Sequence, residues 1–345
     1  MTEKIRIGLI GAGNICQNAH IPAYLKQDDV ELVAVCDINE KRANEVKEKY
    51  GMKYAFTDFN DLVKLSDVDA VSVCTWNNAH AAATIAALNA GKHVLCEKPM
   101  AMNPEEAEAM IKAAKANNRI LQIGFVNRFR ADSKVIKEFA EKGRFGEIYF
   151  AKATYERRRG TPTGWFTNKA KSGGGPVIDI GVHVIDLTWY LMGKPKPVTV
   201  SAAVYDKIGD YKTKGVGRWH AFDPDDTFDT EDSACAFIRF ENGATMQVSV
   251  SWALNNKESM NSEIFGTKAG ASLSPFVIYD EQENYLIDST PVVDREDPFY
   301  NEIKEFLTCI RENRTPIATG EDGLQIQKIL NGIYESARLG KEIVL

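Results

Sequence analysis

A lysine stands at the end of an apolar run in Leu95-Cys96-Glu97-Lys98-Pro99. An ammonium presented there can orient a hydroxyl oxygen, stabilise a developing alkoxide or, if burial lowers its pKa, share a proton relay. Glu97 and Pro99 on either side favour an extended backbone, which helps to aim the side chain. A strand-end lysine alone is equally compatible with a surface cation, so its meaning depends on its company. A second group suits an anion. Gly11-Ala12-Gly13-Asn14-Ile15-Cys16 follows an apolar run and opens a helical stretch. Its glycines permit a tight turn and a close backbone approach to a pyrophosphate, whose charge the helix N-terminus stabilises. Asp37 closes the next apolar run roughly 20 positions on, where a carboxylate accepts hydrogen bonds from ribose hydroxyls and repels a 2′-phosphate. Together these predict a dinucleotide, NAD in preference to NADP, with Gly11, Gly13, Asn14, Ile15 and Asp37 as ligands. Lys41 and Arg42 leave some NADP use open. Cys16 stands where a third glycine is usual and is small enough for close helix packing.

The elements that must position these groups follow from hydropathy. Short apolar strands at 5–10, 32–36, 70–74, 93–96 and 120–125 alternate with helical stretches such as 78–89 and 104–117. Strands apolar on both faces and separated by helices predict an α/β, doubly wound parallel sheet, which binds ligands at the carboxyl ends of its strands. Thr75-Trp76-Asn77-Asn78-Ala79-His80 and Glu97-Lys98-Pro99 both fall on that edge. They add Thr75, Trp76, Asn77, His80, Glu97 and Lys98 to the dinucleotide's candidate partners. After a helix at 133–142 the pattern changes to longer alternating runs at 147–156, 198–205, 232–240 and 244–252, with helices at 182–191, 299–312 and 323–339. This predicts an α+β domain with a large, mostly antiparallel open sheet. The expected domains are therefore 1–125 and 126–345, and no internal repeat is evident.

Bulk properties restrict the partner. A chain of 345 residues, 44% hydrophobic, can bury two cores. A net charge of -6 offers no electrostatic footprint for nucleic acid or an anionic membrane. Met1-Thr2-Glu3-Lys4 runs straight into a strand without the regions of a signal peptide, and no apolar run reaches spanning length, so a cytoplasmic location is expected. Six cysteines without a CxxC pair read as small buried hydrophobes, as at Cys36, Cys74 and Cys96. The five histidines show no HxH or HExxH spacing, so no metal is expected. Asp223-Pro224-Asp225-Asp226-Thr227-Phe228-Asp229 lacks the spacing of a calcium loop and is expected to be a solvated turn or an oligomer rim. No nucleophile elbow supports hydrolytic triad chemistry.

One more stretch, Gly173-Gly174-Gly175-Pro176-Val177-Ile178-Asp179-Ile180-Gly181-Val182-His183-Val184-Ile185-Asp186, completes a pattern. With the glycine turn, Asp37 and Glu97-Lys98-Pro99, in that order over nearly the whole chain, it resembles the Gfo/Idh/MocA family of sugar and inositol oxidoreductases. The resemblance implies an N-terminal Rossmann domain and a catalytic set of Lys98, Asp179 and His183. It also implies a C-terminal sheet facing a partner subunit in a homodimer or homotetramer. Similar inositol dehydrogenases use the segment corresponding to Gly124-Phe125-Val126-Asn127-Arg128-Phe129 to contact nicotinamide and substrate, which points to Asn127 and Arg128.

The residue types agree with those roles. On a helix Asp179 and His183 are four apart and His183 and Asp186 three apart, so all three would share a face. Oxidation of a secondary alcohol needs a proton acceptor at the hydroxyl while hydride leaves carbon. His183, with an ordinary pKa of about 6.5, suits that base, and Lys98 is the other candidate; the choice stays open. Tyr155, Arg158 and Trp165 could pack on a sugar ring and bind its hydroxyls, although Arg157-Arg158-Arg159 reads equally as a solvated run and Trp165 as a loop anchor. The expected activity is NAD-dependent oxidation of a secondary hydroxyl on a cyclic polyol, sugar or glycoside. Two alternatives are redox-neutral NAD-dependent glycoside cleavage and a non-catalytic dinucleotide-sensing regulator.

Overall fold

The computed structural model describes residues 4–221, 225 and 227–345, arranged in two compact units. The first comprises Met1–Val126 and Asp297–Gln327, the second Asn127–Glu296 and Lys328–Leu345.

In the first unit strands and helices alternate as β1 (Ile5–Ile10), α1 (Ile21–Leu25), β2 (Val30–Cys36), α2 (Glu40–Tyr50), β3 (Tyr54–Phe56), α3 (Phe59–Val63), β4 (Ala70–Val73), α4 (His80–Asn89), β5 (His93–Glu97), α5 (Pro104–Ala116) and β6 (Leu121–Gly124). The six strands are all parallel in the order β3-β2-β1-β4-β5-β6. Strand order reverses between β1 and β4, which opens a ligand crevice at their carboxyl ends. β4 and β6 are buried throughout, as strands covered on both faces must be. Asn39 caps α2 by accepting the Arg42 N–H, and Gly51 ends that helix in the left-handed conformation. Asn103 caps α5, whose first residue is Pro104. Each such cap contributes about 1 kcal/mol.

The second unit contains α6 (Ala131–Glu141), β7 (Ile148–Glu156), α7 (Lys169–Ser172), α8 (Val182–Leu191), β8 (Pro197–Tyr205), β9 (Ser233–Phe240), β10 (Thr245–Ser251), β11 (Ser259–Gly266), β12 (Gly270–Leu273), β13 (Phe276–Gln282) and β14 (Tyr285–Ser289). After α9 (Pro298–Glu312) and α10 (Gly320–Leu339), the strand β15 (Ile343–Val344) closes its nine-stranded sheet in the order β14-β13-β12-β11-β7-β10-β9-β8-β15. Pairing is antiparallel except between β7 and β10, which run parallel. β9 alternates buried and exposed positions, so one face of the sheet carries α8 and the end of α10 while the other presents Tyr205, Phe237 and Tyr279 to solvent.

Unit composition departs from the expected division at one point. The boundary near residue 126 is there, but 126–345 is not one continuous domain. Residues 297–327 fold back on the first unit: the Ile123 N–H donates to the Ala318 carbonyl at 3.0 Å, and Gln122 bridges to Thr319. Ile303, Phe306 and Leu307 of α9 join a core with Ile7, Leu9, Cys16, Ile21 and Tyr24. Burying each of the three contributes about 1.5–3 kcal/mol. Periodicity shows that α9 has an apolar face; it does not show which sheet covers it. Among the described residues, no helix is long and apolar enough to cross a membrane.

Candidate active site

The glycine turn is dictated by contacts. Gly11 lies at φ +91°, and a Cβ there would sit 2.5 Å from the Cys74 carbonyl oxygen. Its N–H donates to the Cys36 carbonyl at 2.8 Å, which knits β1 to β2 at their carboxyl ends. A Cβ on Gly13, by contrast, would meet no heavy atom within 4 Å, so a ligand can approach the backbone closely at that point. Cys16 is fully buried in the core below, in agreement with its place at the third glycine position. Asp37 is 7% exposed: its Oδ2 accepts the Ala12 N–H and its Oδ1 the Asn39 N–H, both at 2.8 Å. Each oxygen keeps acceptor capacity for a ribose hydroxyl. Arg42 Nη1 lies 3.4–3.5 Å from both oxygens, whereas Lys41 is in solvent near Glu45. These residues fit a dinucleotide.

The two other edge loops are held together. Thr75 Oγ1 donates to the Trp76 carbonyl at 3.1 Å, and a 3-10 turn at Asn77–Ala79 leads into α4. His80, 1% exposed, places Nδ1 2.7 Å from the Pro99 carbonyl and Nε2 3.2 Å from that of Thr75. Burial holds its pKa below the ordinary value, and a neutral ring has one N–H to donate, to the nearer Pro99 carbonyl, which ties the start of α4 to the loop after β5. His80 therefore shapes the edge on which the dinucleotide is expected. Glu97 is also engaged within the protein. It is 7% exposed, and its carboxylate faces His20 and the Lys98 N–H instead of solvent. Lys98 alone within 94–100 is half-buried while its neighbours are buried.

In the second unit the Gly173-Gly174-Gly175 stretch earns its composition sterically. Gly173 has φ +83°; a Cβ on Gly174 would meet the Tyr334 hydroxyl at 2.0 Å, and one on Gly175 the Glu231 carbonyl at 2.2 Å. Glu231 caps the following turn, accepting the N–H of Gly175 at 2.9 Å and of Val177 at 3.3 Å, and also the Tyr334 hydroxyl at 2.8 Å. Burial pushes its pKa up, in spite of these donors. The turn itself, Val177–Gly181, is π-helical and runs into α8. Within 177–189, Asp179 and His183 are the two positions that remain half-exposed. Asp179 Oδ2 accepts the Trp252 Nε1–H at 3.0 Å.

Asp186 does not join them. It is 1% exposed and forms a buried ion pair with Arg128, Nη2 to Oδ1 at 2.6 Å and Nε at 3.1–3.2 Å from both oxygens. Arg128, 2% exposed and stacked on Tyr190 at 4.6 Å, is therefore a core cation, not the expected substrate ligand. Asn127 is half-buried in the turn Val126–Phe129.

Arg158 and its neighbour Arg157 differ. Arg158 is exposed, with its N–H toward Glu258, while the adjacent Arg157 turns inward. Arg157 donates from Nη2 to the Tyr155 hydroxyl and from Nη1 to the Gly160 carbonyl, both at 3.2 Å. Burial opposes its charge, but the Asp179 carboxylate and Tyr155 hold its pKa above the ordinary value. Strand alternation after β7 could have singled out Arg157, which lies two residues beyond Tyr155 and so on its face. Trp165 stacks on Phe166 at 4.0 Å, and Phe166 meets Trp219 edge-on at 5.1 Å, an aromatic group of which sequence identified only one member. In the acidic loop, Asp225 accepts from Asn168 and Lys171; Asp223, Pro224 and Asp226 lie outside the described residues.

A parallel sheet in the order 3-2-1-4-5-6, a glycine turn after β1 and an aspartate after β2 define a dinucleotide-binding protein of the Rossmann class. The chain belongs to the Gfo/Idh/MocA oxidoreductase family: residues 5–125 match its NAD-binding Rossmann domain and residues 134–272 its C-terminal domain. It is 37% identical over 351 residues to the D-glucoside 3-dehydrogenase of Escherichia coli, covering 100% of this chain and 98% of that protein. It is 30% identical to the myo-inositol 2-dehydrogenase of Thermotoga maritima, over 92% of each chain. Levoglucosan dehydrogenase in complex with NADH superposes with a TM-score of 0.85 at 25% identity, over 99% of both chains. The protein is an NAD-dependent oxidoreductase.

Proposed function

We propose that the protein oxidises a secondary ring hydroxyl of a sugar, glycoside or cyclic polyol, with Lys98, Asp179 and His183 as its catalytic set. The observation that carries this reading is the selective exposure of Asp179 and His183 in an otherwise buried segment. Relatives that act on a D-glucoside and on myo-inositol support the substrate class. Gly11, Gly13, Asn14, Ile15 and Asp37 hold the dinucleotide, with Thr75, Trp76, Asn77 and Asn127 completing its contacts. Bound NAD supplies the hydride acceptor. His183 takes the hydroxyl proton, and the Lys98 ammonium stabilises the oxygen as negative charge develops. Asp179, fixed by the Trp252 N–H and the charge of Arg157, accepts a neighbouring substrate hydroxyl. Tyr155 and Trp165 offer aromatic faces to ring CH groups. We further propose a cytoplasmic homo-oligomer. The six free cysteines support a reducing compartment, and the exposed aromatic residues on the open face of the nine-stranded sheet support self-association.

The test is reduced-nicotinamide absorbance with NAD or NADP and a panel of glucosides, aldoses, inositols and sugar acids. NADH formation with a glycoside or polyol is the expected result. Release of an aglycone without accumulation of NADH would instead assign redox-neutral glycoside cleavage, and cofactor binding without turnover on any member would overturn the catalytic reading.

A further inference from the structure

Beneath Lys98 the first unit contains a buried polar chain that neither cofactor nor substrate explains. His20 is 0% exposed and lies at the end of the π-helical turn Cys16–His20, directly after the glycine turn. Its Nε2 is 2.8 Å from Glu97 Oε1, and its Nδ1 is 3.2 Å from Ser72 Oγ, which in turn lies 2.8 Å from the Tyr24 hydroxyl. One assignment of the protons satisfies the whole chain. Tyr24 donates to Ser72, Ser72 to His20 Nδ1, and His20 Nε2–H to Glu97. Burial keeps the Tyr24 phenol protonated, as this assignment requires. Although burial opposes the charge of Glu97, the hydrogen bond from His20, with the charge and N–H of Lys98, holds its pKa below the usual carboxyl range. Its second oxygen accepts the Lys98 N–H at 3.1 Å. Gly124 on the adjacent strand permits this placement, since a Cβ there would lie 3.2 Å from Glu97 Cδ and Oε2.

An ordinary α-helical turn holds no inserted residue. The π-helical turn adds one and so rotates His20 toward β5, and such insertions are frequent at functional sites. Ser72 on β4 and Glu97 on β5 then meet that imidazole from adjacent strands, and Gly124 on β6 leaves room for the Glu97 carboxylate.

We infer that His20, acting through Glu97, is a positioning residue for Lys98. The pair fixes the peptide from which the lysine projects and sets a carboxylate next to it, so the ammonium reaches the substrate oxygen in one orientation. This rests on the proposed role of Lys98, and the experiment separates the two.

The variants H20Q, E97Q, H20Q/E97Q, G124A and K98M are compared with the parent in kcat and KM for the active substrate, NADH affinity by fluorescence, and melting temperature. H20Q and E97Q are expected to lower kcat about 10- to 100-fold while NADH affinity stays within about twofold, the size of effect that displacement of a reacting group by about 1 Å produces. The double variant is expected to be no slower than E97Q, because both act through one hydrogen bond. G124A crowds the carboxylate without removing either group and is expected to lower kcat in the same way, so the inference stands on it if H20Q or E97Q does not fold. Full kcat in E97Q and H20Q with K98M inactive would overturn the inference. So would losses of kcat that merely track NADH affinity and melting temperature. His20, Glu97 and Glu302 bring possible ligand atoms within 4.8 Å of one another. A stoichiometric divalent metal in the purified protein, removed by a chelator together with activity, would replace the inference by a metal centre. Undiminished turnover in K98M would refute the role of Lys98 itself.

Discussion

Substituting Asp186 by asparagine tests the reassignment of Arg128 from substrate ligand to core cation. Side-chain volume is nearly unchanged, so the perturbation is electrostatic. The guanidinium and carboxylate are 2% and 1% exposed, make contacts of 2.6, 3.1 and 3.2 Å, and lie under Tyr190. At a charge separation of about 4 Å and an effective dielectric of about 20, their attraction is about 4 kcal/mol. Desolvating both ions costs several kcal/mol each, so the intact pair adds little net stability. Removing one partner is different, because Arg128 would stay buried without its counter-charge. We expect D186N to destabilise the protein by about 3–5 kcal/mol. For a unit of this size that lowers the melting temperature by roughly 6–20 °C. The double variant R128M/D186L removes both charges and should recover stability to within about 1 kcal/mol of the parent. Circular dichroism melts and steady-state kinetics on the same preparations measure both effects. If D186N melts within about 2 °C of the parent while raising KM for the sugar, the reasoning fails and Arg128 contacts substrate after all.

Three further outcomes are expected. D37S removes the carboxylate that repels a 2′-phosphate and leaves Arg42, now 3.4 Å from Asp37, to meet one; the ratio of kcat/KM with NAD to that with NADP should fall at least about tenfold. W252F keeps the buried ring but deletes the donor to Asp179. A hydrogen bond to a charged group is worth about 1.5–3 kcal/mol, so kcat/KM should drop by roughly 10- to 150-fold, and adding W252F to D179N should cost little more. His93 is pushed down to about 4 by burial and by Arg119, and its Nδ1 accepts the Ile120 N–H. Below about pH 6.5 the unfolded chain takes up a proton that the folded chain refuses, so stability is full above that pH and declines toward pH 4. After allowance for solvent screening the loss is about 1–2 kcal/mol. Urea titrations at pH 7 and pH 4.5 should show it, and H93N should lose less over the same interval.

What the sequence determined by itself is what local rules encode. Apolar runs between helical stretches predict the parallel sheet because period and length are local properties, and a glycine turn followed by an aspartate predicts the dinucleotide because strand, turn and helix are contiguous. Short motifs single out Lys98, Asp179 and His183 as the proposed catalytic set, and in the structure they are half-exposed while the residues around them are buried.

Only the tertiary structure decided what surrounds each charge. Spacing placed Asp186 on the face of Asp179 and His183, yet Arg128, from a different element, draws it into the core, since a buried guanidinium requires an anion. Alternation puts Arg157 on the face of Tyr155, but the contacts that hold it there, with the Gly160 carbonyl and the Tyr155 hydroxyl, appear only in the fold. His20 lies far from Glu97 in sequence, and α9 far from the core it completes. Contacts of such separation depend on how strands are ordered and which faces are covered, and a one-dimensional pattern carries neither.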